Sequence, residues 1–264
     1  MDTIIQILAR ELGRSEAHVE NVVRLIDEGN TIPFIARYRK ELHGAMDDTA
    51  LRTLADRLQY LRNLDKRREE VKSAIEGQGK LTEELSAAID AAATLAEVED
   101  LYRPYRQKRR TRATVAREKG LEPLAELLFA QAADGPAPEE AAGAFVDPEK
   151  GVETAEDALQ GASDIIAERI SDDADIRKRL RELVWKKGYL VSAAAAKEPE
   201  DTVYRLYYAF RSPLNRVQGH QVLAINRGER EGVLKVSVEM EREAALIPVR
   251  RAVLNPGAPA MAFV

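Results

Sequence analysis

Apolar residues near the start of the chain recur three and four positions apart, which is the spacing of one face of a helix. One such set occupies residues 4–12 and another occupies residues 19–26, with polar and charged residues between the apolar positions. Gly13 and Gly29 follow the two sets and favour the end of each helix, because glycine readily adopts the left-handed backbone that often closes one. The pattern predicts a helical hairpin at the N-terminus.

A third and a fourth helix are predicted directly after this hairpin. Pro33 suits the first turn of the third helix, which we expect to end near Gly44. Asp47 is a suitable N-cap for the fourth helix, in which a single apolar stripe continues as far as Gly77. At about 1.5 Å per residue this helix spans more than about 40 Å, and we call it the spine helix. The stripe consists of Leu51, Leu54, Leu58, Leu61, Leu64, Val71 and Ile75.

Shorter helical patterns fill the middle of the chain. Thr82 and Thr94 stand where N-caps are expected, and Pro104 interrupts the helix that follows Thr94. Between residues 130 and 150 the chain is rich in Ala, Gly, Pro and Asp, which indicates a surface connection or a weak helix. Helical periodicity then resumes and closes at Gly188.

The last quarter of the chain has a different pattern. Aromatic residues concentrate in residues 204–210, and a helix is predicted from about Gly219 to Gly228. Residues 233–238 follow this helix, and their β-branched content and partial alternation are typical of a strand. A small sheet is therefore expected to begin near the C-terminus.

The periodicity as a whole predicts a mainly α fold: an elongated multi-helix scaffold with an N-terminal helical hairpin, a long spine helix and a small β element near the C-terminus. We divide the chain into three parts. Residues 1–76 form a helix-turn-helix-like region with the spine helix, and residues 77–192 form a helical core. Residues 193–264 contain a helix and the small β element, and they begin a further central region.

The composition supports a folded chain and limits its partners. Of the 264 residues, 45% are apolar and 32% are charged, which is typical of a globular protein. The formal net charge of −5 means that the surface as a whole repels nucleic acid, so any binding to phosphates must be confined to a patch. The sequence has no cysteine, no basic N-terminal signal and no apolar run near the roughly 20 residues of a membrane span. We expect a cytoplasmic protein with no membrane partner.

One segment reverses the acidic character of the chain. Between Arg103 and Arg117 the sequence carries seven Arg and Lys residues and no acid. Such a cluster can neutralise several phosphates, and Tyr102 and Tyr105 can stack on unpaired bases. In the alternative interpretation, which the sequence leaves open, the arginines pair with acids of neighbouring helices and the tyrosines belong to the core. The candidate nucleic-acid-binding residues are Arg103, Arg106, Lys108, Arg109, Arg110 and Arg112.

A second basic cluster lies in the predicted third helix. Arg37, Arg39 and Lys40 form a secondary candidate patch for nucleic acid. On a continuous helix Glu41 lies four residues after Arg37 and can pair with it, so an ion-pair role competes with ligand contact. The mixed charges of residues 65–72 predict a solvated face of the spine helix.

The sequence shows no arrangement of residues that is typical of catalysis. The three histidines lie far apart and lack the spacing of a helical metal pair, so packing or surface roles explain them more simply. Asp172, Asp173 and Asp175 precede a predicted helix and are better explained as caps than as ligands of a cation. We therefore predict no catalytic residue, no metal ligand and no cofactor, and interpret the protein as non-enzymatic.

Three segments together resemble one known family. They are TIPFIARYRKELHG (residues 31–44), EDLYRPYRQKRRTRA (residues 99–113) and EDALQGASDIIAERISDDADIRKRLREL (residues 156–183). They look like the N-terminal half of the Tex family, bacterial transcription accessory proteins that are related to eukaryotic transcription elongation factors. HQVLAINRGEREGVL (residues 220–234) extends the resemblance, although Gly219 and Gln221 replace the serine and arginine that are usual there.

The resemblance implies more than the residues alone. Members of the family continue into an RNase H-like domain, helix-hairpin-helix elements and a C-terminal S1 RNA-binding domain, and their affinity for nucleic acid is attributed mainly to the S1 domain. By this resemblance the chain is truncated before the RNase H-like and S1 domains, and it binds RNA or DNA weakly. The implied protein partners are RNA polymerase or other transcription proteins, and residues 77–192 correspond to the helical core of the family's N-terminal part.

The sequence thus favours a non-enzymatic N-terminal scaffold module of a Tex-like transcription accessory protein, which assists transcription by binding nucleic acid and the transcription machinery. Three other classes stay open. One is a protein–protein interaction module with no direct nucleic-acid contact, which would dock through residues 204–210 or through the spine helix. The second is an RNA-binding module that would use residues 106–112. The third is a nuclease, although the chain has no set of acids arranged for two metals.

Overall fold

The computed structural model describes residues 3–107, 109–196 and 201–264. Over these ranges the chain forms two compact units, Met1–Tyr105 and Arg106–Val264. The helices of the first unit are α1 (Ile4–Leu12), α2 (Glu16–Asp27), α3 (Ile32–Tyr38), α4 (Asp48–Glu76), α5 (Glu83–Ala91) and α6 (Leu95–Tyr102). The second unit contains α7 (Arg112–Glu118), α8 (Glu122–Ala130), α9 (Pro138–Gly143), α10 (Ala155–Asp172), α11 (Ala174–Lys187), α12 (Gly219–Arg230) and α13 (Arg242–Val253), with strands β1 (Tyr189–Ala194), β2 (Ala209–Pro213) and β3 (Leu234–Glu239).

The predicted mainly α class, with its helical hairpin, its spine helix and its small β element near the C-terminus, is confirmed. The helical hairpin is α1 and α2, and the spine helix is α4. The division at residues 76 and 192 stays a prediction, because compact units describe packing and do not mark functional boundaries.

The first unit is built around α4. The Asp47 carboxylate accepts a hydrogen bond from the backbone N–H of Ala50 at 2.7 Å, so the helix begins at the predicted N-cap. Every residue of its apolar stripe is at most 4% exposed. The stripe shares one core with Leu8 of α1, Val22 of α2 and Ile35 of α3, and α5 and α6 also pack on α4. All five other helices of the unit therefore contact this one.

Charged side chains fix the orientation of α1 and α2 on α4. Arg57 donates two hydrogen bonds of 2.7 Å to the Glu11 carboxylate of α1. Arg62 donates bonds of 2.7 and 2.8 Å to the Asp27 carboxylate of α2. Two-bond contacts of this kind define direction as well as distance, because the guanidinium and the carboxylate must be coplanar.

The following turns of α4 form ion pairs with α5 and α6. Arg67 bonds to Glu99 of α6 at 2.6 Å, and Lys72 bonds to Asp90 of α5 at 2.9 Å. The prediction that residues 65–72 form a solvated face was therefore wrong for these two cations. The partner of Arg67 lies 32 residues further along the chain and that of Lys72 lies 18 residues further, and a helical charge pattern carries no information about such distant acids.

The third helix is shorter than predicted. It ends at Tyr38, and turns occupy residues 40–45 up to Gly44 and Ala45, which both have a positive φ of 59° and 54°. A Cβ at residue 44 would collide with the His18 ring, so glycine is needed for this close approach as well as for the turn. Because Glu41 lies in these turns, the expected helical pair between Arg37 and Glu41 does not form among the described residues.

The second unit has its own core around α10. Helices α7, α8 and α9 pack on α10, and the core includes Leu121, Leu124, Leu128 and Ile165. Gly161 of α10 lies against Ala116 of α7 and against Leu121, which precedes α8, and a Cβ at this position would overlap the buried Leu121 side chain. The glycine therefore sets the spacing between these helices.

The small sheet is antiparallel, with β1 between β2 and β3. Ser192 of β1 lies opposite Phe210 of β2 and Val236 of β3, and its hydroxyl donates to the Tyr207 carbonyl at 2.7 Å. The sequence predicted β3 but neither β1 nor the pairing of the aromatic segment. Strand preference depends strongly on the neighbouring strands, and the partners of β1 lie roughly 20 to 50 residues away in the sequence.

Substituting Gly161 by alanine tests the helix spacing. Overpacking a core costs about 1–3 kcal/mol, whereas removing a helical glycine gains about 1 kcal/mol. We expect Gly161→Ala to lower the free energy of unfolding by up to about 2 kcal/mol in denaturant titration. The added cost of Gly161→Ala in a Leu121→Ala background should be smaller, because that variant opens the space that the new methyl group needs. A stabilised Gly161→Ala protein would contradict the close approach.

The stability of the first unit should depend on acidic pH through two carboxyls. The hydrogen bonds from Arg57 and Arg62 lower the pKa of Glu11 and Asp27 below their usual values. Their stabilising effect is thus present above about pH 4.5 and is lost as the pH falls through the lowered pKa values. Both pairs are solvent-exposed, so each contributes at most about 1 kcal/mol. When the pH is lowered below about 4.5, the free energy of unfolding should fall less for the Glu11→Gln/Asp27→Asn variant than for the parent protein. The Glu20→Gln variant should show the same fall as the parent.

Candidate nucleic-acid interface

The basic segment, residues 103–112, connects the last helix of the first unit with the first helix of the second. Helix α6 ends at Tyr102, and a short 3-10 turn, Arg103–Tyr105, follows at Pro104 as the proline predicted. The chain is irregular after this turn until Thr111, whose hydroxyl accepts a hydrogen bond from the backbone N–H of Thr114 at 3.0 Å and caps α7. The boundary between the compact units falls inside the segment, directly before Arg106.

Two of the candidate residues are exposed and have no ion pair with any described residue. They are Arg106 and Arg109, which lie in the irregular part of the segment. Because no carboxylate holds either guanidinium, both keep their full set of donors for a ligand.

Arg110 and Arg112 are exposed but each has an acidic partner. Arg110 contacts Glu118 at 2.6 Å with its side chain 70% exposed, and Arg112 contacts Asp164 at 3.5 Å with its side chain 86% exposed. Exposed pairs of this kind contribute about 0–1 kcal/mol, so a phosphate can compete with the carboxylate. Arg103 is exposed and also has an interaction partner, and Lys108 lies outside the described residues.

Arg117, which was not a candidate, pairs much more firmly. It donates to Glu168 at 2.7 Å and to Glu122 at 3.2 Å, and Glu168 also accepts a hydrogen bond from the Thr111 hydroxyl at 3.0 Å. Burial lowers the pKa of Arg117, but the hydrogen bond and charge of Glu168 outweigh burial and raise it. For this arginine the interhelical ion-pair interpretation is the one that the structure shows.

The two tyrosines of the segment contribute to the core of the first unit. Both Tyr102 and Tyr105 are partly buried against it. The Arg67 guanidinium lies 5.5 Å from the centre of the Tyr102 ring, and the Gln78 side chain donates to the Tyr105 carbonyl at 2.9 Å. The alternative that assigned these tyrosines to the core is therefore the correct one.

The secondary patch is cationic and includes an aromatic residue that the sequence analysis missed. Arg37 and Lys40 are exposed, Arg39 is half-buried, and none of them forms an ion pair with a described residue. The Arg39 guanidinium lies 5.2 Å from the centre of the Phe34 ring, and the Arg37 guanidinium lies 5.9 Å from that of Tyr38. Tyr38 is 56% exposed, an exposure that helical periodicity alone could not reveal because the helix ends at this residue.

The residues considered for metal binding have structural positions. Asp173 caps α11 by accepting a hydrogen bond from the backbone N–H of Ile176 at 2.8 Å. His43 is buried, and neither of its ring nitrogens has a hydrogen-bond partner among the described residues. Within the described ranges, no three His, Asp or Glu side chains lie close enough together to hold a metal ion.

None of the described helices is both long and apolar enough to cross a bilayer.

Comparison with protein families places the chain in a defined group. The family model for the Tex-like protein N-terminal domain matches residues 2–76, and the model for the Tex central region matches residues 134–254. Together the two matches cover more than half of the chain. The protein belongs to the family of Tex-like proteins, of which these two regions are characteristic.

Individual relatives support this assignment. The chain is 48% identical to the protein YdcI of Bacillus subtilis over 89% of its own length and 33% of the relative. It is 40% identical to the transcriptional accessory protein Tex of Neisseria gonorrhoeae, over 90% of the chain and 31% of the relative. It is 32% identical to the human S1 RNA-binding domain-containing protein 1, over 90% of the chain and 24% of the relative. The chain thus spans a quarter to a third of the length of these relatives.

The difference between Arg117 and the exposed arginines can be tested by stability. Replacing Arg117 by alanine removes the guanidinium that lies 2.7 Å from the Glu168 carboxylate, whose side chain is only 16% exposed. We expect the free energy of unfolding to fall by about 1–3 kcal/mol in denaturant titration. Arg109→Ala is the matched control, and it should change stability by less than about 0.5 kcal/mol. Equal stability of the two variants would contradict the structural role of Arg117.

Proposed function

We propose that this chain is the N-terminal module of a Tex-like transcription accessory protein and that it binds nucleic acid through the basic segment, which we define as residues 103–112. In this proposal the module is a non-enzymatic scaffold that contacts RNA or DNA and proteins of the transcription machinery in the cytoplasm. The proposal concerns binding, because neither the segment nor the patch around Arg37 brings together groups for covalent chemistry.

The pairing state of the arginines carries the proposal. Arg106 and Arg109 are exposed and lack carboxylate partners among the described residues, in a protein whose acids outnumber its bases by 45 to 40. Arg110 and Arg112 are exposed beside them and are held only by surface pairs. A cation without a partner gains most from a phosphate, since binding then releases counterions and displaces no existing ion pair.

The names of the relatives point in the same direction. One relative is called a transcriptional accessory protein and another an S1 RNA-binding domain-containing protein, and those words apply to the relatives themselves. Because the chain spans only part of each, their activities enter here as a proposal. Salt-dependent contact with phosphates does not distinguish RNA from DNA, so the basic segment should accept both.

A second candidate function is docking of a protein partner without contact to nucleic acid. It is favoured by exposed apolar side chains in the second unit, among them Leu206 in the aromatic segment and the single tryptophan, Trp185. The spine helix does not offer such a face, because its apolar stripe is buried. Residues 204–210 therefore remain as the docking region of this alternative.

Salt-dependent binding of a labelled single-stranded RNA separates the two functions. The wild-type chain should bind at low salt, with an affinity that falls linearly on a plot of log affinity against log salt concentration. The Arg106→Ala/Arg109→Ala variant should reduce the slope of this plot by about 1.4, which corresponds to two phosphate contacts on a single strand. Its stability should remain unchanged, because no described partner is lost.

The control variant removes the same charge elsewhere. Arg52 and Arg250 are exposed arginines that pair with Asp48 and Glu243 on their own helices. The Arg52→Ala/Arg250→Ala variant should keep the wild-type slope. If the wild-type chain does not bind RNA at low salt, or if both double variants lose the same slope, the basic segment is not the interface and the docking function is preferred.

A further inference from the structure

We propose that Tyr38, together with Arg37 and Arg39, forms a second nucleic-acid site that stacks an unpaired base. The inference rests on the proposed binding of nucleic acid, but its residues lie in the first unit and outside the basic segment. The site around Tyr38 should prefer single strands. The basic segment, which offers arginines for phosphates, does not provide this preference.

Four side chains at the end of α3 form a row in which two neighbouring aromatic rings, Phe34 and Tyr38, lie between the guanidinium groups of Arg39 and Arg37. The Phe34 and Tyr38 rings lie 5.2 Å apart at an interplanar angle of 47°. The Arg39 guanidinium lies 5.2 Å from the Phe34 ring centre, and that of Arg37 lies 5.9 Å from the Tyr38 ring centre. Contacts of this kind restrict each side chain, so the surface is ordered before a ligand arrives.

Tyr38, one of the two rings of this row, is not among the residues that pack on the core of the first unit. Its side chain is 56% exposed, and its hydroxyl has no hydrogen-bond partner among the described residues. By contrast, the Tyr204 hydroxyl donates to Glu231 at 2.8 Å, and the Tyr60 hydroxyl accepts from the Leu95 backbone at 3.2 Å. Tyr38 therefore presents an exposed aromatic surface whose hydroxyl is not needed for a hydrogen bond within the described part of the fold.

The surroundings of Tyr38 are cationic. Residues 31–46 contain Arg37, Arg39 and Lys40 but a single acid, Glu41, and none of the three cations is ion-paired with a described residue. The turn that follows α3 is held in place by the left-handed Gly44 and by burial of His43. The cations are thus carried on an ordered part of the chain.

This chemistry favours a nucleic acid over an acidic peptide. An acidic peptide needs the cations alone, whereas a single strand uses the cations for phosphates and an exposed aromatic ring for a base. Every base has a face that can stack, so the site should tolerate different sequences. A duplex keeps its bases stacked and can use only the arginines.

The test compares a single-stranded RNA with a duplex of the same sequence, using the full chain. Tyr38→Ala should weaken binding of the single strand about fivefold or more and leave binding of the duplex unchanged. Because no charge is lost, the salt slope should stay at the wild-type value. Tyr38→Phe should bind like the wild type, and Trp185→Ala, which removes another exposed aromatic side chain, should bind both ligands normally.

The arginines should respond differently from the tyrosine. The Arg37→Ala/Arg39→Ala variant should bind both the single strand and the duplex more weakly. For the single strand, the slope of log affinity against log salt concentration should fall by about 1.4. Circular dichroism of each variant verifies that the helices are intact. In addition, a strand containing 5-iodouridine should crosslink to Tyr38 on irradiation, and peptide mapping reports the modified residue.

The two proposals can fail separately. If Tyr38→Ala still weakens the single strand in the Arg106→Ala/Arg109→Ala background, the two sites are independent, and loss of one does not remove the other. The inference is overturned if the Tyr38→Ala variant binds the single strand like the wild type, or if the substitution weakens binding of the duplex as much as binding of the single strand. Binding of an acidic peptide that requires both arginines and is insensitive to Tyr38→Ala would overturn it too, and would assign the patch to a protein partner.

Discussion

Burial of the apolar stripe of α4 is the interaction on which the first unit depends, since every other helix of that unit packs on it. Burying one leucine or isoleucine contributes about 1.5–3 kcal/mol, whereas an exposed ion pair contributes about 1 kcal/mol or less. The stripe therefore contributes more to stability than the ion pairs that α4 forms with its neighbours. The bonds from Arg57 to Glu11 and from Arg62 to Asp27 mainly determine how the neighbouring helices are oriented.

Ion pairing also explains how a protein with an excess of acids can leave some cations accessible to a polyanion. Where helices pack, carboxylates from neighbouring helices hold the arginines, as Glu99 holds Arg67 and Glu168 holds Arg117. In the irregular part of the basic segment, and around the end of α3, no described carboxylate pairs with Arg106 or with the arginines beside Tyr38. Pairing with acids thus separates cations that support the fold from cations that remain accessible.

Local signals allowed much of the fold to be predicted, and distant contacts account for what was missed. The cap at Asp47, the leucine stripe and the break at Pro104 are encoded within a few residues of where they act. The turns after α3 bring Gly44 against His18 of α2, and β1 pairs with strands far away in the sequence, so neither contact could be inferred from neighbouring residues. In the candidate site, charge reversal located the segment, but the sequence could not tell which arginines were paired, because acids such as Asp164 and Glu168 lie on α10.

NMR of the arginine Nε–H groups during titration with a single-stranded oligonucleotide tests most directly whether ion pairing separates structural cations from accessible ones. The signals of Arg106 and Arg109 should shift and saturate, while those of Arg57, Arg62 and Arg67 should keep their positions because carboxylates of the fold already hold them. Saturating shifts of the paired arginines of α4, or the absence of shifts at both residues of the basic segment, would contradict this separation.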